Sequence, residues 1–159
     1  MTEFICKVTP EKKKIRELKY TLYAHGNQKD DIGGWATIIL DKNEQKTVLS
    51  GKEENIKDNR IDLLGIIEGL NWVYCSVEPK YRKYITVNLN CDNVYCVNII
   101  KEWLVKWEED IESRPNTDLL KTLIDLKKKM NINAMWTHKV SNEYSWSVNR
   151  ISNERINEN

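Results

Sequence analysis

The stretch Lys19-Tyr-Thr-Leu-Tyr-Ala-His-Gly-Asn-Gln-Lys-Asp-Asp-Ile-Gly-Gly-Trp-Ala-Thr-Ile-Ile-Leu40 decides the architecture. Tyr20, Leu22 and Ala24 alternate with Thr21 and Tyr23, a period of two that predicts a half-buried strand. Residues 35–40 form an apolar, β-branched run of the length of a buried strand. The polar segment between them carries Gly26, Gly33 and Gly34, which predict a tight turn following His25. The two strands therefore form a hairpin, with His25 at the end of the first.

Working outward, residues 46–52 predict a third strand, joined by an Asp41-Lys-Asn-Glu-Gln turn. The apolar spacing over 61–76 predicts a helix. Gly65 and Gly69 inside it each cost about 1 kcal/mol relative to alanine, so a close approach to the sheet is expected there. A fourth strand is predicted over 84–92, parallel to the first because a helical crossover precedes it. Short helices follow over 93–100 and 101–110. Thr117 is expected to cap the next helix, whose apolar face carries Leu119, Leu120, Leu123 and Leu126. A fifth strand over 132–140 and a final helix from Asn142 complete the order. Residues 1–17 are expected to form a charged N-terminal arm, and 18–159 a single domain.

Composition narrows the function classes. The 159 residues carry a net charge of +1, so no global field draws the chain to nucleic acid. No run approaches the roughly 18 apolar residues of a membrane span. The N-terminus has no apolar secretory core, which predicts an intracellular protein that is not secreted. The four cysteines, Cys6, Cys75, Cys91 and Cys96, lack metal-site spacing and are expected to be reduced. The Asn, Ile and Lys bias suggests an AT-rich source, as in large DNA viruses or parasites. Two basic segments stand out, Lys80-Tyr-Arg-Lys83 and the Lys127-Lys-Lys129 run.

Six local motifs carry a resemblance. Tyr20-Thr-Leu-Tyr-Ala-His-Gly-Asn27 is one, and 32–40 continues it with a glycine-led strand. Asp58-Asn-Arg-Ile-Asp-Leu63, Leu89-Asn-Cys-Asp-Asn-Val-Tyr95 and Arg114-Pro-Asn-Thr-Asp-Leu-Leu120 follow in order. Met135-Trp-Thr-His-Lys139 with Asn142-Glu-Tyr-Ser-Trp146 closes the set. Over 18–150 the chain resembles ribonuclease H of type I. That resemblance implies an α/β fold whose five-stranded mixed sheet has three antiparallel strands, then two parallel ones, and helices on both faces.

The family hydrolyses the RNA strand of an RNA/DNA hybrid with two divalent metal ions held by four carboxylates. The resemblance places His25, Asp62, Asp92 and Trp146 at those four positions. Imidazole is a poor magnesium ligand and indole is none. The expectation is therefore a catalytically inactive domain without a cofactor, retained for protein assembly or nucleic-acid binding in a replication or transcription complex. The alternative is a residual hybrid ribonuclease in which His25, Asp62 and Asp92 hold one ion, such as manganese, or magnesium weakly. Glu143, Asp30 and Asp31 are candidate substitutes for the lost carboxylates. Asn27, Asn59, Arg60 and Asn93 are the expected nucleic-acid contacts, with helix capping and turn formation as the competing reading for them. The family's basic, tryptophan-rich protrusion matches 103–112, which keeps its tryptophans but turns acidic. That change weakens the expected grip on hybrid and leaves a protein partner as the main expectation.

Overall fold

The computed structural model describes residues 6, 8–57, 59–138 and 140–158. The start of the expected arm, Asp58 of the third motif and Lys139 of the fifth-strand motif lie outside them. Strands β1 (Lys19–Lys29), β2 (Ile32–Leu40), β3 (Lys46–Glu53), β4 (Thr86–Cys91) and β5 (Asn131–Trp136) form one sheet in the order β3-β2-β1-β4-β5. β1, β2 and β3 pair antiparallel, while β4 and β5 join in parallel. Helices α1 (Arg60–Cys75), α2 (Val94–Asn98), α3 (Leu104–Trp107), α4 (Thr117–Lys129) and α5 (Glu143–Ile156) complete the chain. A π-helical turn over Ile99–Trp103 joins α2 to α3. The expected fold class is the one observed.

The alternation read in the sequence holds through the middle of β1, where Tyr20, Leu22 and Ala24 are buried. The predicted turn does not. β1 runs on past His25 to Lys29, and only Asp30 and Asp31 separate it from β2. Asp30 takes the left-handed backbone (φ 57°), and no glycine has positive φ. The polar residues 26–29 read as a turn, but they pair residue by residue with 32–35.

Gly26 and Gly34 are needed for close approach rather than for turning. A Cβ on Gly26 would lie 2.7 Å from Ile61 Cγ2, and one on Gly34 would lie 2.2 Å from the Ser152 carbonyl oxygen. α1 and α5 thus press backbone-close on opposite faces of the hairpin. The expected approach of α1 is also present at Gly69, where a Cβ would meet Thr37 Cγ2 at 2.6 Å. The buried Thr37 hydroxyl donates to the Gly65 carbonyl at 2.6 Å.

α1 is apolar on nearly all sides and is buried between the sheet and α4. Ile66, Ile67, Leu70 and Val73 are fully buried, and each such side chain stabilises by about 1.5–3 kcal/mol. On the other face α5 packs Val148 against Ala36, Ile38 and Leu40, and Tyr144 against Tyr23.

Two further expectations are corrected. Thr117 is the first residue of α4 rather than its cap; its hydroxyl donates to the Ile111 and Arg114 carbonyls. Cys6 and Cys75 are disulfide-bonded, not reduced, while Cys91 and Cys96 are free and buried. The backbone explains the pairing. Glu11 bridges to Val77 and donates to the Ser76 carbonyl, laying the lead-in against the end of α1. The Cys6 and Cys75 Cα atoms are 5.3 Å apart, within disulfide reach. A sequence separation of 69 gives no local signal for this.

Candidate active site

Three elements converge at one end of the sheet. β1 supplies His25, the start of α1 supplies Asp62, and the turn after β4 supplies Asp92. Each offers a ligand atom, and these atoms lie within 4.8 Å of one another. With Gly26, Asn93, Val94 and Tyr95 they line an open cleft of about 400 Å³.

His25 is buried, and its Nδ1 lies 2.8 Å from Asp92 Oδ1. Its buried Nε2 has no hydrogen-bond partner among the described residues. Burial pushes the imidazole pKa down. The Asp92 hydrogen bond and charge, with Asp62 behind them, outweigh it and leave the pKa above its ordinary value. Asp62 is anchored by the Gly26 N–H at 2.9 Å and by Asn93 Nδ2 at 3.1 Å. Burial raises its pKa, against the Asn93 bond and the His25 charge. The neighbouring Cys91 and Cys96 thiols are pushed upward by burial, so neither supplies a thiolate.

The other expected residues divide. Asn93 belongs to the site: its Nδ2 also donates to Asn59 Oδ1 at 2.9 Å, and its Oδ1 caps α2 at the Cys96 N–H. Asn59 therefore touches the site through Asn93, and its side chain does not cap α1. Arg60 forms a two-pronged bond to Asp118, both contacts at 2.9 Å. Asn27 turns to α5, donating to Ser152 Oγ at 2.7 Å.

Trp146 is exposed, with Arg150 over its ring. The α5 residues lining the groove with His25 and Asp92 are the buried Ser145 and Val148; Ser145 is one position before Trp146 and about 100° around the helix. Among the described residues no other group joins the three ligands, and Glu143, Asp30 and Asp31 stand outside the cluster. Asp30 lies five strand residues beyond His25, about 16 Å along an extended chain.

Sequence reasoning missed Ser145, Thr137 and Trp136. Thr137 donates to Asn90 Oδ1, and both line the groove under His25; Trp136 Nε1 donates to the Asp92 carbonyl. All three stood inside the last quoted motif, but as neighbours of the residues given a role: Ser145 beside Trp146, and Trp136 and Thr137 in the Met135–Lys139 stretch.

No family model matches the chain. It is 34% identical over 135 residues to the ribonuclease H of Thermoanaerobacter sp. (strain X514), covering 80% of this chain and 81% of that protein. The chain belongs to the ribonuclease H family. Ribonuclease HI of Campylobacter jejuni is 34% identical over 106 residues, 66% of each chain.

Solved ribonuclease H structures share the fold. LC9-RNase H1, a type 1 RNase H with the type 2 active-site motif, superposes with a TM-score of 0.71 at 16% identity, over 94% of this chain and 73% of that one. LC11-RNase H1 in complex with RNA/DNA hybrid gives 0.65 at 12%, over 86% and 96%.

Two expectations are thereby corrected, loss of the enzyme's activity and absence of a cofactor. The relatives that match most of the chain are named as ribonucleases, and the family is divalent-metal-dependent. Counting lost carboxylates treated each position as indispensable, whereas His25, Asp62 and Asp92 still converge as a donor set. One ring nitrogen of His25 and two carboxylates fit one borderline divalent ion better than a pair of hard ones.

Proposed function

We propose that residues 18–159 act as one ribonuclease domain on RNA/DNA hybrid, through a divalent-metal site of altered composition. The observation that carries this reading is the convergence of His25, Asp62 and Asp92 within 4.8 Å. The names of the relatives support a ribonuclease, and the hybrid bound to LC11-RNase H1, which shares the fold, supports the substrate class. Manganese suits one nitrogen and two oxygen donors better than magnesium does. When bound, such an ion polarises the scissile phosphate and acidifies a water.

The chain's own residues supply the rest. Gly26 and Asn93 hold the Asp62 carboxylate in place. Asp92 and His25 fix each other's orientation through their hydrogen bond. Asn93 spends its amide N–H groups on Asn59 and Asp62, which leaves the Asn59 amide as the neutral donor for a phosphate backbone.

The test is a labelled RNA/DNA hybrid incubated with manganese or magnesium. Manganese-dependent cleavage of the RNA strand is expected, falling to background in Asp92→Asn. Cleavage that persists in Asp92→Asn, or none with either metal, overturns the reading.

A further inference from the structure

The two basic segments singled out in the sequence meet at the far end of the molecule. Tyr74, at the close of α1, lies twelve residues from Asp62, about 18 Å along the helix. Lys83 precedes β4 and Asp92 follows it, a separation of about 20 Å or more. Arg82 stacks on the Tyr74 ring at 4.3 Å from its centroid, and Lys129, from α4, sits 5.3 Å from the same centroid. Lys80 and Lys83 lie over Tyr81 and Tyr84 at 5.0 and 5.2 Å.

Arg82 is also held by its Nε, which donates to the Val77 carbonyl at 2.9 Å. Its guanidinium is fixed in place before any ligand arrives, which lowers the ordering cost of a phosphate contact. The sequence run 127–129 does not act as a unit. Lys127 donates to the Ile100 carbonyl and Lys128 to Glu108, so only Lys129 joins the cluster.

Opposing charges are few. Asp125 pairs with Lys129 at 2.8 Å, and Glu78 begins the short helical turn that carries Lys80, Arg82 and Lys83. Those three have no carboxylate partner within ion-pair distance among the described residues.

We propose that Lys80, Arg82, Lys83 and Lys129, seated on the tyrosines of this end, form a second nucleic-acid contact surface that grips the phosphate backbone at a distance from the cleft. The partner class rests on the function proposed above; the surface does not depend on the cleft's chemistry. A fixed Arg82 with the exposed lysines Lys80, Lys83 and Lys129 around it, all over aromatic rings, matches a phosphate strand, and the contact is sequence-independent. A nucleic acid lying in the cleft and bent or extended past α1 would reach it.

The test is anisotropy of a labelled hybrid of about 24 base pairs, long enough at about 3.4 Å per step to span both sites. It is run in EDTA, so that neither metal nor cleavage enters. Lys80→Gln/Arg82→Gln/Lys83→Gln is expected to weaken binding about tenfold or more at low salt. It should also flatten the plot of log affinity against log salt by about 2–3 units, at up to 0.9 per phosphate released. Lys80→Gln/Lys83→Gln, which leaves the packed Arg82, should give a smaller effect in the same direction.

Equal affinity and slope for wild type and both variants overturns the proposal. So does polyglutamate competing as well as the hybrid, which would mark an acidic-protein surface instead. Loss of binding in these variants, with no cleavage by wild type in manganese, would keep the surface and remove only the proposed reaction.

Discussion

His25 and Asp92 stand side by side because Ala24 pairs with Cys91 in the parallel β1–β4 ladder, and their 2.8 Å contact is the next step of that register. A slip of one residue would turn either side chain to the opposite face of the sheet. The pair is thus fixed by main-chain pairing.

Stability of the metal-free protein should depend on this pair through pH. The His25 pKa is raised on folding, so its stabilisation is complete below the unfolded value, about 6.5. It is lost as pH rises through the folded value. Melting temperature is expected to fall from pH 6 to pH 9 more steeply in wild type than in His25→Gln, at roughly 2–4 °C per kcal/mol. Parallel melting curves would show that the pair contributes nothing.

Metal affinity should run the other way. Ligand nitrogens and carboxylates bind ions only when deprotonated, so manganese binding is expected to tighten with rising pH and to release protons. Calorimetry should show Asp62→Asn and His25→Gln each weakening manganese binding by about tenfold or more, with Asp30→Asn unchanged. A large loss in Asp30→Asn would mean that the hairpin tip folds back to the site.

Arg60 has a structural assignment that can be measured. Its fork on Asp118 joins the start of α1 to the start of α4, with Glu53 at 3.8 Å. The pair is about one quarter exposed, so solvent screening places its worth at the low end for a charged hydrogen bond, about 1–2 kcal/mol. Denaturant unfolding of Arg60→Ala should show that loss, and Asp118→Asn a similar one. An unaltered midpoint in both would return Arg60 to the role of a phosphate contact.

Reduction of the Cys6–Cys75 bond should lower stability without touching the site. Closing a loop of 69 residues removes chain entropy worth about 4 kcal/mol in the unfolded state. Cys6→Ser is expected to unfold earlier in denaturant, with manganese affinity unchanged. Identical unfolding with and without reductant would show that the bond does not form in solution.

The order of elements was legible in the sequence because strands of period two and helices of period 3.6 alternate with polar breaks. Asp62 and Asp92 were legible through the family resemblance, whose motifs include them. The length of β1 was not. Gly26, Asn27, Gln28 and Lys29 have turn composition, and only tertiary contact with α1 and α5 holds them extended. Asn27 illustrates the same limit: its amide answers to Ser152, 125 residues away. The competing readings for Asn59 and Arg60 turned on partners from α2 and α4, which no local pattern announces.

The parallel joining of β4 to β1 also bears on the order of assembly. The β1–β2–β3 meander and α1 are built from neighbours in sequence, whereas β4, β5 and α5 must return across long loops, and such pairings form slowly. His25 and Asp62 lie in the early portion, and Asp92 and Ser145 in the late one. A nascent chain folded only through α1 would hold half of a cleft and no functional centre. The reactive site comes into being only with the last and slowest contacts, so ligand binding should report completion of folding rather than its onset.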